Sequence, residues 1–192
     1  MARNYFVIGI SGTTNSGKTT AVRKLRATFP GSTTMCQDCY FLDPHDERLE
    51  MIPQRNHANW EKLSAIDMKS MVNNVHKWIQ YQQTKRSNSP QFSLHCGFLI
   101  YNYSPLAELF DRKYFLTIDK ETCKDRRSER VYVPADPPWY FEEVVWPMYN
   151  LNLEEIRAQN DICVLSGAED QEKLVNIIKE DIHEFLKKSR CL

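Results

Sequence analysis

Residues Gly12-Thr13-Thr14-Asn15-Ser16-Gly17-Lys18-Thr19 fit G-x-x-x-x-G-K-[ST] without a mismatch. This pattern constrains the chain more than any other stretch, because each part has a physical task. Glycines let the backbone wrap a phosphate chain that larger residues would obstruct. Loop N–H groups point at the anion, the lysine reaches the β/γ-phosphates and the Ser/Thr hydroxyl binds Mg²⁺. The positive end of the next helix faces the same place. The context also fits. Tyr5-Phe6-Val7-Ile8-Gly9-Ile10 upstream reads as a buried parallel strand. Downstream, Ala21, Val22, Leu25 and Phe29 share one helical face, and Pro30-Gly31 ends the helix.

The rest of the chain alternates strand and helix, as in an α/β fold around a parallel sheet. Strands are predicted at 33–41, 92–101, 113–118 and 162–165, and helices at 64–82, 106–110 and 120–130. A further helix is expected over 140–158, with Pro147 at a kink or break, and a terminal amphipathic helix over 169–187. The terminal helix is read with Leu174, Ile177, Ile178, Ile182, Phe185 and Leu186 inward. The polar segment 42–59 exceeds an ordinary connection and reads as functional or mobile, and 84–90 as a surface loop. The 192 residues suit one domain, with a lid at about 120–135 and a substrate-binding loop at about 42–62.

Lys+Arg and Asp+Glu both number 25, so a global basic field for nucleic acid is absent and any anion site is local. No apolar run approaches the ~20 residues of a membrane span, and 5–10 is too short for a signal-peptide core. A cytosolic or nuclear protein is expected. Cys36, Cys39, Cys96, Cys123, Cys163 and Cys191 are scattered and suit reduced thiols. Cys36-Gln37-Asp38-Cys39 is formally C-x-x-C, but it has no second pair and ends a strand-like run, so structural thiols are the plainer reading.

A phosphate loop alone allows a GTPase, a motor or a small-molecule kinase. Neither D-x-x-G nor N/T-K-x-D is present, and the size argues against a motor. A small-molecule kinase needs a base for the acceptor hydroxyl, an acceptor pocket and cations over the transferring phosphate. Asp38, expected at the end of the second strand, is the base candidate, against a plain turn aspartate. Arg126, Arg127 and Arg130 are the cation candidates; Arg126 and Arg130 are four apart on a predicted helix that would close as a lid. A solvated charged helix is the bland alternative, since Asp125 and Glu129 are interspersed.

With these pieces assembled, the chain resembles the nicotinamide riboside kinases, small phosphate-loop enzymes related to uridine and adenylate kinases. The resemblance rests on Ile8 to Gly12 with Thr14 to Thr20, Gln37-Asp38, Gly97-Phe98-Leu99, Asn102-Tyr103 and Tyr114 to Thr117. The more specific pieces are Arg126-Arg127-Ser128, Arg130-Val131-Tyr132 and Val145-Trp146-Pro147-Met148-Tyr149. It implies a three-layer phosphate-loop kinase fold, with a central parallel five-stranded sheet, helices on both faces and an arginine-bearing lid. It also implies phosphorylation of the 5′-hydroxyl of nicotinamide riboside by ATP with Mg²⁺, in NAD salvage. Nicotinic acid riboside is a second candidate substrate, and a protein partner stays open.

By this resemblance Gly12, Thr14, Asn15, Ser16, Gly17, Lys18, Thr19 and Thr20 would hold the nucleotide, with Arg126 and Arg130 from the lid. Lys18, Asp38 and Arg126 would be catalytic, and Thr19 with Asp38 would hold Mg²⁺. Tyr132 would stack on the cationic pyridine ring, Asp136 would accept from its carboxamide, and Arg127 would lie at the riboside. Trp60-Glu61 stands where the family has Tyr-Asp; the extra methylene of Glu61 shifts the ribose-gripping carboxylate by ~1.5 Å. Cys39 and Tyr40 replace the family's Asp and Phe, and Cys96 replaces its metal-holding Glu. A thiol is a poor ligand for a hard cation. The favoured reading is a slower but real kinase. The alternatives are a uridine/cytidine-type kinase and a nucleotide-binding pseudokinase that acts as a protein partner.

Overall fold

β1 (Tyr5–Gly12) is buried along seven of its eight residues in the computed structural model, which describes residues 3–85, 87 and 89–190. Its side chains alternate between two cores. Val7 joins Met71, Val75, Leu99 and Phe110 on one face, whereas Phe6, Ile8 and Ile10 join Ala21, Leu25 and Leu174 on the other. Each fully buried aliphatic side chain contributes about 1.5–3 kcal/mol, so this strand belongs in the middle of a sheet.

The sheet is parallel, in the order β2-β3-β1-β4-β5. β2 is Thr33–Cys36, β3 is Gln91–Cys96, β4 is Arg112–Thr117 and β5 is Ile162–Ser166. α1 (Lys18–Thr28) and α6 (Gln171–Arg190) pack on one face; α2 (Met68–Thr84) lies on the other with the short α3 (Ser104–Ala107). These are the layers expected from the sequence. β1 lies between β3 and β4, so the chain reverses its winding there and opens a crevice at the carboxyl ends of the strands.

Several expected boundaries move, each for a local reason. The second strand stops at Cys36, because Gln37–Tyr40 turns into a 3-10 helix whose buried Gln37 accepts a bond from the Leu99 backbone N–H at 3.0 Å. The third stops at Cys96, ahead of the turn at 97–103. α2 begins at Met68 rather than at 64, because Asp67 caps it by accepting from Ser70 N–H and a separate 3-10 turn occupies Leu63–Ala65. α3 starts earlier than expected, at Ser104, with Pro105 in its first turn. α4 (Lys120–Ser128), capped by Asp119, ends before Arg130. The expected 140–158 helix is a π-helical turn, Phe141–Val145, running into α5 (Trp146–Ile156), with Pro147 in the first turn of α5. In the last helix Ile177 is largely outward rather than inward.

The 42–59 segment is tied down along its length. Leu42 N–H bonds to Ala65 O, Asn59 N–H bonds to Glu50 O, and Leu49 and Ala58 are buried. Arg55 pairs with Glu143 at 2.7 Å and covers the Trp139 ring. No helix among the described residues is long and apolar enough to cross a membrane. Of the residues singled out in the sequence, Cys191 lies outside the described residues, as do parts of 84–90 at positions 86 and 88.

Candidate active site

The loop after β1 takes the shape its glycines permit. Gly12 has φ of 138°, and a Cβ there would lie 2.1 Å from Leu116 O. Gly17 has φ of 93° at the N-cap of α1, and a Cβ there would lie 2.7 Å from Gln171 Nε2. Thr13 N–H bonds to Leu116 O, and Lys18 Nζ donates to the Gly12 and Thr13 carbonyls at 3.1 and 2.7 Å. Burial lowers the Lys18 pKa; the Asp38 carboxylate is the largest opposing influence. Thr13 Oγ1, Asn15 Nδ2 and Ser16 Oγ are buried without a hydrogen-bond partner. Unpaired polar atoms around a nest of loop N–H groups suit a polyphosphate.

Two cavities meet at this loop. The first, about 330 Å³, is lined by Thr14, Asn15, Gly17, Lys18, Thr19 and Thr20, and by Arg126, Glu129 and Arg130 across from them. The second, about 370 Å³, is lined by Trp60, Glu61, Arg127, Tyr132 and Asp136, with Phe41 and Tyr140. Asp38, Phe98, Thr14 and Arg130 line both. Asp38 sits on the 3-10 turn two residues past β2, is exposed, and forms part of the wall common to the two spaces. The candidate nucleotide and acceptor residues thus divide between two chambers that share the candidate base.

Gly12 lines a narrow crevice with Thr14 and Glu61, and Ser16 is buried beneath the loop. Arg126 donates to Asn15 O and Gly167 O at 3.3 and 3.1 Å, which anchors α4 to the loop. Arg130, beyond the helix end, faces both cavities.

Arg127 is the most committed charge in the site. Its Nε donates to Asp136 Oδ2 at 2.6 Å, NH1 to Thr14 Oγ1 at 3.3 Å, and NH2 lies 3.5 Å from Glu61 Oε1. Its guanidinium carbon sits 4.4 Å from the Tyr132 ring centroid. Tyr132 OH donates to Asn15 Oδ1, and Tyr140 OH accepts from Trp60 N–H. Burial raises the Glu61 pKa to about 7, although Arg127 pulls it down.

The donor set for a divalent cation is small. Thr19 and Asp38 offer hard oxygens, and no cluster of three or more His, Cys, Asp or Glu suited to a metal occurs among the described residues. Mg²⁺ commonly takes only one or two protein oxygens, completing its shell with phosphate and water, so the set fits it. Cys96 lines neither cavity; it is buried at the end of β3, close to Thr19. The neighbouring Cys36 thiol lowers the Cys96 pKa, and Cys96 in turn raises that of Cys36.

Sequence reasoning did not single out Phe98, Phe41 and Tyr140 as cavity walls. Phe98 follows a glycine directly after a strand aimed at the crevice, which is a readable signal. Phe41 and Tyr140 enter through tertiary packing and carry none.

The fold, the glycine loop and the paired cavities define a phosphate-loop kinase of the nucleoside-kinase type. Solved structures agree on the fold: the Deinococcus radiodurans tunicamycin resistance protein has a TM-score of 0.56 at 14% identity, covering 93% of this chain and 95% of that one. A structure described as a possible uridine kinase from Bacillus stearothermophilus has a TM-score of 0.54 at 13% identity, covering 85% and 90%. No family model matches the sequence. Among curated proteins, nicotinamide riboside kinase 1 of Rattus norvegicus is 36% identical over 97% of this chain and 98% of its own length. The Homo sapiens protein of that name is 35% identical over 97% and 96%. The chain belongs to the nicotinamide riboside kinase family.

Proposed function

We propose that the protein transfers the γ-phosphoryl group of ATP to the 5′-hydroxyl of nicotinamide riboside, giving nicotinamide mononucleotide and ADP. The observation that carries the mechanism is Asp38 in the wall shared by the two cavities. A hydroxyl entering from the acceptor side and a phosphate from the loop side meet at its carboxylate. Asp38 takes the hydroxyl proton as the oxygen bonds to phosphorus, and the bond from phosphorus to the ADP oxygen breaks.

Lys18 and the loop amides hold the triphosphate, Arg126 fixes α4 on the loop, and Arg130 adds charge at the junction. Thr19 and Asp38 would hold Mg²⁺, which neutralises charge on the phosphates when bound. Glu61 accepts ribose hydroxyls in its ionised form. Tyr132 offers a ring face to the pyridinium, and Asp136 accepts from the carboxamide. Residues 120–135 act as the lid of a single 1–192 domain, and 42–62 forms the outer wall of the acceptor cavity.

Rates with nicotinamide riboside, uridine and cytidine supplied together test the acceptor. Selective phosphorylation of the pyridine riboside supports the reading. A preference for the pyrimidine nucleosides rejects the roles given to Tyr132 and Asp136.

A further inference from the structure

Cys36 closes β2, Cys96 closes β3, and the two are direct register partners on neighbouring parallel strands. Both side chains pack in the same core, on the face of the sheet covered by α1 and α6. Neighbouring strands lie about 4.8 Å apart, within the Cα separation of about 4.4–6.8 Å that a disulfide bridges. Cys36 is half-buried, while Cys96 is 3% exposed, so a small oxidant reaches Cys36 first. Cys39 is exposed on the following 3-10 turn, outside this rung.

Neither paired thiol lines either of the two cavities at the phosphate loop, yet each adjoins a group that does. Cys36 is two residues before Asp38, and Cys96 lies close to Thr19. We infer that Cys36 and Cys96 form a reversible redox pair, whose disulfide ties the ends of β2 and β3 together and slows phosphoryl transfer. The co-reactant is a low-molecular-weight disulfide. Cys36, the more accessible thiol, gives up its proton as it attacks one of that disulfide's sulfurs, forming a mixed disulfide and expelling one thiolate. The Cys96 thiolate then attacks the Cys36 sulfur and expels the second. The two cysteines are oxidised, the small disulfide is reduced to two thiols, and the protons lost by the cysteines pass to the expelled thiolates. The bond shifts the end of β3 beside Thr19 and displaces the turn that carries Asp38. The rate effect rests on the kinase reading; formation of the bond does not.

The test exposes the full chain to mixtures of reduced and oxidised glutathione, blocks free thiols, maps linked peptides by mass spectrometry, and follows the rate before and after added reductant. The expected result is a Cys36–Cys96 link, with a rate loss of about tenfold or more that reductant reverses, since a displacement of about 1 Å costs about 100-fold. The Cys36→Ser protein is expected to show neither effect, and the Cys39→Ser protein both. Free thiols at Cys36 and Cys96 under the most oxidising mixture overturn the inference. So does a Cys36–Cys39 link, or a Cys36–Cys96 link with the rate unchanged. Should the reduced protein make no product, the kinase reading fails alone; the peptide map still decides whether the pair forms.

Discussion

Arg127 stacks on Tyr132, with its guanidinium carbon 4.4 Å from the ring centroid. The same cation is held by Asp136 at 2.6 Å and approached by Glu61 at 3.5 Å. One aromatic face and both candidate acceptor carboxylates are therefore engaged by a residue of the lid helix. A cationic ring has to use the other face of Tyr132 or displace Arg127.

Removing this cation leaves two carboxylates without their partner. Loss of one member of a buried ion pair costs about 3–5 kcal/mol. The Arg127→Met protein is expected to unfold at clearly lower urea concentration. Adding Asp136→Asn to it recovers part of the loss. Equal midpoints for the single and double variants would show that the carboxylate is not the source.

Glu61 gives a pH dependence with a definite sign. Its folded pKa is raised from 4.5 to about 7, so between these values the folded protein binds the extra proton. Stability therefore falls as pH rises through that window. The Glu61→Gln protein is expected to gain stability relative to the native chain as pH goes from about 5 to about 8. Riboside binding has the opposite slope, because only the ionised form accepts hydroxyls fully: KM falls as pH rises through neutrality. Parallel melting curves for the two proteins across pH would contradict this account of Glu61.

Asp38 is exposed on the 3-10 turn, lining the phosphate-loop cavity without belonging to the loop, so Asp38→Asn removes the base and one Mg²⁺ oxygen but leaves the loop intact. The expected effect is a fall of about 10²–10⁴ in kcat, the usual scale for a general base. Calorimetry with ADP in the absence of Mg²⁺ should show near-native affinity.

Cys96 sits under Thr19 at the position where the family resemblance expects a glutamate. Cys96→Glu adds a hard oxygen donor beside the phosphate site. The expected outcome is a kcat gain of about tenfold or more in Mg²⁺, since charge-stabilising groups of this kind carry 10²–10³ in rate. An unchanged Mg²⁺ titration would remove this position from metal loading.

The sequence made the phosphate loop, the five strands and the arginine-bearing helix legible, because each rests on local pattern. Gly12 and Gly17 occupy backbone conformations that only the loop demands, and the alternation in β1 sorts its side chains into two cores. What stayed hidden depends on partners distant in the chain. β2 ends where Gln37 reaches Leu99, 62 residues away. The Arg127, Glu61 and Asp136 cluster joins three segments. C-x-x-C drew attention to Cys39, whereas strand register pairs Cys36 with Cys96.

In the proposed reaction, phosphoryl transfer takes place at the junction where Asp38 stands. The direct measurement incubates the purified, reduced protein with ATP, Mg²⁺ and nicotinamide riboside, and quantifies ADP and nicotinamide mononucleotide by mass spectrometry. Both products are expected in equal amounts, with neither rising in the Asp38→Asn protein above the level set by its lower kcat. Absence of the mononucleotide at high enzyme concentration, with Mg²⁺ or Mn²⁺, would contradict it.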